Sequence, residues 1–121
     1  MSNKPNKIED GLYGQEEAAK YLQAQGMSLI EANFRIPSAE IDLIMKDDDY
    51  IVFVEVKYRR DTRYGLPREA IGYHKQKKIK KAALHYIARR RLSNQDFRFD
   101  VVELLETGSG LSINHIKDAF W

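Results

Sequence analysis

Glu40, Asp42, Glu55 and Lys57, residues suited to metal and phosphate chemistry, stand close together in the stretch EIDLIMKDDDYIVFVEVK, residues 40–57. A two-residue turn at Asp48 and Asp49 sets Asp47 against Tyr50, Asp42 against Glu55 and Glu40 against Lys57. Strand alternation then gathers these four on one side of the hairpin and leaves Ile41, Leu43, Met45, Val52, Val54 and Val56 on the other, the side that reads as core. Two carboxylates facing each other repel unless a proton or a cation lies between them. A hard divalent cation, Mg2+ or Mn2+, meets that need, because it takes oxygen ligands at about 2.0–2.1 Å and keeps part of its water. Lys57, two residues from Glu55 and on the same face, suits activation of a water or neutralisation of charge on a phosphate. Together these are the parts of a metal-dependent phosphodiesterase. A solvated sheet face, with Lys57 in a plain salt bridge to Glu40 or Asp42, accounts for the same spacing.

The composition narrows the chemistry. With no cysteine there is no disulfide framework and no thiolate zinc site, and His74, His85 and His115 are scattered and read as incidental, so a metal would be held by oxygen. The net charge of +2 conceals a division: the segment from Lys57 to Arg91 holds 13 of the 20 Lys and Arg but only two of the 18 acidic residues, Asp61 and Glu69. It is therefore +11 and the rest of the chain −9, the footprint of a polyanionic partner, with nucleic acid ahead of a membrane surface. Arg59, Arg60, Arg63, Arg68, Lys75, Lys77 and Lys78 are the candidate backbone-phosphate contacts, which add salt-sensitive affinity without base specificity. Tyr58, Tyr64 and Tyr73, interleaved with these charges, could stack on unpaired bases. No apolar run approaches the roughly 20 residues of a membrane span. MSNKPNKIEDG at the amino terminus lacks the apolar stretch of a signal peptide, so a cytoplasmic protein is expected.

The elements that must position these residues follow from periodicity. At 121 residues the chain is about one domain long: residues 1–10 read as a flexible amino-terminal segment and 11–121 as one domain. Ala18, Ala19, Tyr21 and Leu22 form the inward stripe of a helix from Leu12 to Gln25, stopped by Gly26. SLIEANFRI at 28–36 is a strand broken by Pro37, and the hairpin adds strands at 39–46 and 50–58. Ile79, Ala82, Ala83, Tyr86 and Ile87 recur at helical spacing from Tyr73 to Arg91, with the arginines at 89–91 favouring the helix carboxyl end. Lys75 lies four residues before Ile79, on the buried-side row, where its side chain can reach toward the acidic face. FRFDVVELLE at 97–106 is a fourth strand, in which Asp100 reads as structural, and LSINHI a short fifth. The order αβββαβ, with four to five strands in a mixed sheet flanked by helices, is an α/β fold.

Asp42, followed thirteen residues later by Glu55-Val56-Lys57, resembles the D…E-x-K core of the restriction-endonuclease-like superfamily. AEIDLI, FVEVKYRR, YGLPREAI, the K…AALHYI helix and RFDVVEL together resemble the YraN-like bacterial family, an uncharacterised, endonuclease-like relative of the Holliday-junction resolvases, over about Gly14 to Phe120. The resemblance implies a restriction-endonuclease-like core and a nuclease that cuts DNA, with Asp42, Glu55 and the Val56 carbonyl as metal ligands and Lys57 as the catalytic lysine. Branched DNA as substrate and a homodimer are further implications. Ala39 stands where that family usually has glycine, and Gln15 where it usually has an acidic residue. From the inward stripe Gln15 could still offer an amide oxygen to the metal. The departure at Gln15 keeps a second reading open, a non-catalytic nucleic-acid-binding module on the same fold.

Overall fold

The structure, a computed structural model, describes residues 7–61, 71–92 and 94–120. Its elements run α1 (Lys7–Ala24), β1 (Ser28–Ile36), β2 (Ala39–Asp47), β3 (Tyr50–Arg59), α2 (Tyr73–Arg90), β4 (Asp96–Thr107) and β5 (Gly110–Phe120). The five strands form one sheet in chain order, antiparallel except for β3 and β4, which run parallel across the α2 connection. This is the mixed α/β architecture of a restriction-endonuclease-like core, completed by a fifth strand of 11 residues.

Helix α1 begins at Lys7, earlier than its apolar stripe suggests. Glu9 and Asp10 in its first turn complement the helix dipole, and Asp10 accepts a forked pair of hydrogen bonds from Arg60 Nη2 and Nε at 2.8 and 3.0 Å. Gly26 ends the helix with φ 99°, a conformation that glycine adopts without a Cβ penalty. At the other helix, Arg91 closes α2 in the left-handed conformation, its N–H bonded back to Ala88 and Ile87 carbonyls.

Both faces of the sheet are core, whereas the hairpin pattern taken alone reserves one face for water. On one side α1 packs Ala18 and Leu22 against Leu43, Met45, Val52, Val54, Val102 and Leu104. On the other α2 packs Ile79, Ala82, Ala83 and Tyr86 against Phe34, Ile44, Ile51, Phe53 and Phe99. Phe53 and Phe99 are each 1% exposed, and burying such a side chain contributes about 2–3 kcal/mol. A sheet covered by a helix on each face needs apolar residues at successive positions, which explains the unbroken run Ile51-Val52-Phe53-Val54.

The hairpin turns at Asp48 and Asp49, with Asp47 paired to Tyr50 and the register running to Leu43 opposite Val54. The pairing stops there, one step short of the expected Asp42–Glu55 and Glu40–Lys57 pairs. In the adjoining row Asn33 of β1 has φ 55°, a left-handed value that Asn tolerates better than most residues. Across this row the pleat changes phase: Leu43 belongs to the α1-side core, but Ile41, two residues away, belongs to the α2-side core with Phe34. Ile41 therefore departs from the face expected for it, and Asp42 is turned between the strands.

Candidate functional site

Asp42 uses this break in the ladder. Its Oδ2 accepts the backbone N–H of Val56 at 2.8 Å, so the side chain takes a donor that would otherwise face the next β2 carbonyl. Its Oδ1 accepts a hydrogen bond from Gln15 Nε2 at 3.3 Å, and the same amide nitrogen donates to Asn33 Oδ1 at 2.8 Å. Helix α1 comes close enough for this because residue 14 is glycine: a Cβ there would lie 2.9 Å from the Cβ of Tyr58. Gln15 is thus on the inward side as the helical stripe predicts, and it presents its amide nitrogen, not its oxygen, to Asp42.

Glu55, one residue before Val56 on β3, is 6% exposed. Lys75 reaches it from the first turn of α2, with Nζ 2.6 Å from Oε1. Helical side chains lean toward the amino terminus of their helix, which carries the lysine stem past the Ile79 contact toward the acidic end of β3. Asp42 and Glu55 are close enough to share a hydrogen bond when one of them holds a proton. Burial, and then the charge of Glu55, push the Asp42 carboxyl up to about 7 against the opposing pull of the Val56 N–H and Lys75. Burial also raises Glu55, although the hydrogen bond from Lys75 and the charges of Lys75 and Lys57 oppose it.

The two ends of the Lys75–Glu55 contact respond differently. Partial burial draws Lys75 down, but Glu55 and Asp42 outweigh it and the ammonium is held above its ordinary range. The carboxylate is enclosed beside a second acid, whereas 60% of the lysine side chain is exposed. Desolvation accordingly dominates one end and ion pairing the other.

The pair opens into a cleft of ≈ 510 Å³ lined by Ala39, Glu40, Asp42, Glu55, His74, Lys75, Lys78 and Ile79. Glu40 is engaged by Arg35, with Nε 3.0 Å from Oε2. Among the described residues no cluster of three or more His, Cys, Asp or Glu side chains is arranged to hold a metal. The donor set of two carboxylates, both raised by burial and Asp42 also by the charge of Glu55, nevertheless fits a hard cation that retains several waters, since bound positive charge offsets the cost of holding them ionised.

The basic residues are distributed unevenly. Lys75 and Lys78 border the cleft, and Lys77 Nζ lies 5.2 Å from the centre of the exposed Tyr73 ring. Arg59 is exposed and donates to the carbonyl of Tyr58, whereas Arg60 is held by Asp10. Arg63, Tyr64 and Arg68 lie outside the described residues. Tyr58 is not an open stacking surface: it meets Tyr13 edge-on at 5.3 Å and its hydroxyl donates to Glu106 at 3.1 Å. Burial and Glu106 push its phenol up to about 12.

One histidine is not incidental: His115, with 6% of its side chain exposed, bonds Asp100 at 2.7 Å on the α1 side of the sheet, whereas the exposed His74 only borders the cleft. Asp100 is wholly buried and also receives Arg98 Nε at 3.0 Å and the N–H of Asp118 at 3.0 Å. Burial alone would raise its carboxyl, but these three donors outweigh burial and hold it below the ordinary range. The structural role expected of Asp100 is what these contacts describe. No sequence signal singles out His115, since its partnership depends on the β4–β5 pairing.

The family described as "Uncharacterised protein family UPF0102" matches residues 14–104. A UPF0102 protein of Syntrophus aciditrophicus is 45% identical over 113 residues, covering 93% of this chain and 89% of that one. UPF0102 proteins of Clostridioides difficile and Caldicellulosiruptor saccharolyticus are 43% and 42% identical, each match covering 95% of this chain and 99% of the relative. The stretch from Gly14 through Leu104 contains every residue of the acidic pair and its surroundings named above. No helix among the described residues is long and apolar enough to cross a membrane.

Proposed function

The chain belongs to the uncharacterised protein family UPF0102, and from the site it carries we propose that it is a nucleic-acid-binding protein acting as a divalent-metal-dependent endonuclease on DNA phosphodiesters. The observation that supports this most is the pairing of half-buried Asp42 with buried Glu55 in a cleft that Lys75 and Lys78 also line. Phosphodiesters are anions, and positive charge concentrated beside a cation-seeking acidic pair suits them and few other small groups.

Asp42, Glu55 and the Val56 carbonyl would hold the cation, Mg2+ or Mn2+, with Gln15 keeping Asp42 in place. The bound cation supplies positive charge that polarises the phosphodiester and favours deprotonation of an attacking water. Lys57, whose charge already acts on Glu55, would orient that water or donate to a non-bridging phosphoryl oxygen. Lys75, Lys77, Lys78 and Arg59 would hold the strand by its phosphates, which selects for nucleic-acid shape and not for base sequence. Cutting two strands of a branched substrate requires two copies of the site, the reason to expect a homodimer in the cytoplasm, where DNA is available.

One observation favours a second reading, a binding module without catalysis. Gln15 and Lys75 already give Asp42 and Glu55 partners drawn from the protein itself. Cleavage of a four-way junction, a flap, a duplex and single-stranded DNA, in Mg2+, Mn2+ or EDTA, distinguishes the readings. The nuclease predicts metal-dependent cutting that disappears in Glu55→Ala while salt-sensitive binding persists. Binding without cutting by the wild-type protein on every substrate and metal would leave only the module.

A further inference from the structure

Lys75 occupies an unusual position in the electrostatics of the cleft. Its ammonium is 2.6 Å from Glu55 Oε1, at the carboxylate edge that an incoming cation would approach. The two partners differ in freedom: 6% of the Glu55 side chain is exposed against 60% of the lysine's. Glu55 is held buried on β3, whereas the mostly exposed Lys75 side chain has open solvent to swing into. Its Cα stays anchored, because Ile79 one turn further along α2 is 4% exposed in the α2-side core.

We propose that Lys75 is the exchangeable resident cation of the acidic pair: its ammonium neutralises Glu55 until a divalent cation displaces it, and the released ammonium then grips a phosphate of the bound strand. The proposal rests on the reading that Asp42 and Glu55 hold a divalent cation. Two cations cannot share the Glu55 carboxylate edge at contact distance without strong repulsion in a partly desolvated site, so lysine and metal compete. The displaced ammonium remains over the same cleft, beside Lys78 three residues on along the helix. There it lies where a phosphodiester must enter to reach the acidic pair. Metal binding and strand binding are thereby coupled through one side chain, and the coupling has to be reciprocal.

The consequence has an opposite sign in two measurements, which a merely structural salt bridge does not produce. Lys75→Met in the full chain removes the competitor, so calorimetric titration with Mn2+ is expected to give an affinity about fivefold or more above wild type. Fluorescence anisotropy of a labelled single-stranded oligonucleotide, in Ca2+ and in EDTA, is expected to show tighter binding with metal for wild type and little such enhancement for the variant. Lys75→Gln, which keeps polarity at the exposed end of the stem, repeats both measurements and separates loss of charge from loss of fold, monitored by circular dichroism. An unchanged or weakened Mn2+ affinity in both folded variants overturns the exchange while leaving the metal site standing. Absence of Mn2+ binding to wild type and variants alike overturns the exchange together with the metal reading on which it rests.

Discussion

Replacing Asp42 by Asn should stabilise the metal-free protein at alkaline pH. The Asp42 carboxyl is pushed from its ordinary 3.8 to about 7, by burial first and then by Glu55. The folded state therefore retains a proton that the unfolded chain releases. A group raised in this way costs nothing below its unfolded value, where both states are protonated. The cost grows as pH rises from about 4 to about 7 and is constant above that. A shift of about 3 units corresponds to about 4 kcal/mol. Asp42 is only partly enclosed, and Asn still accepts the Val56 N–H but conflicts with the Gln15 donor, so about 2 kcal/mol is the net gain expected for Asp42→Asn. In urea denaturation with EDTA, the variant should exceed wild type by that amount at about pH 8, a rise of roughly 6–10 °C in Tm. At about pH 4.5 most of the advantage should vanish. An Asp42→Asn protein less stable than wild type at about pH 8, or one whose advantage is the same at both pH values, would refute the account of the acidic pair.

Three further outcomes follow from single contacts. Gly14→Ala should destabilise the fold by about 1–3 kcal/mol, although Ala normally favours a helix, because the added Cβ meets Tyr58 at 2.9 Å; a thermal melt at or above the wild-type temperature would contradict it. Asp100→Asn should cost about 3 kcal/mol near neutral pH by weakening the buried contacts with Arg98 and His115. Since the folded Asp100 carboxyl is held below its ordinary value, its contribution is present above the unfolded value and lost as pH falls through the folded one; the deficit of the variant in chemical denaturation should therefore shrink in acid. Lys77→Ala with Lys78→Ala should weaken DNA binding on all substrates alike and reduce the slope of affinity against salt by about 2, which filter binding over a salt series checks.

Much of the architecture was legible because its signals are local. The i, i+3, i+4 recurrence of Ala18 and Leu22, and of Ile79, Ala82, Ala83 and Tyr86, marks the helix faces that the two cores bury. The acidic DDD turn and the alternation on either side of it set the Asp47–Tyr50 register. Lys75 was detectable as a cation on a row otherwise reserved for apolar residues. The limits of α1 and β5 were less legible, since Asp10 is tied to a residue 50 positions away and β5 depends on its pairing along β4.

The sequence by itself determined the identities and approximate neighbourhood of Asp42, Glu55 and Lys57, because strand period and turn length are properties of adjacent residues. Only the tertiary structure decided what each of them touches. The phase change at Asn33 and Asp42 requires three strands to be side by side before it has a meaning. The approach of Gln15 depends on a glycine facing Tyr58, and the Lys75–Glu55 contact depends on where α2 lands after leaving the sheet. Such contacts join residues 18 to 44 positions apart, and their geometry is set by packing between helix and sheet, which no local pattern encodes.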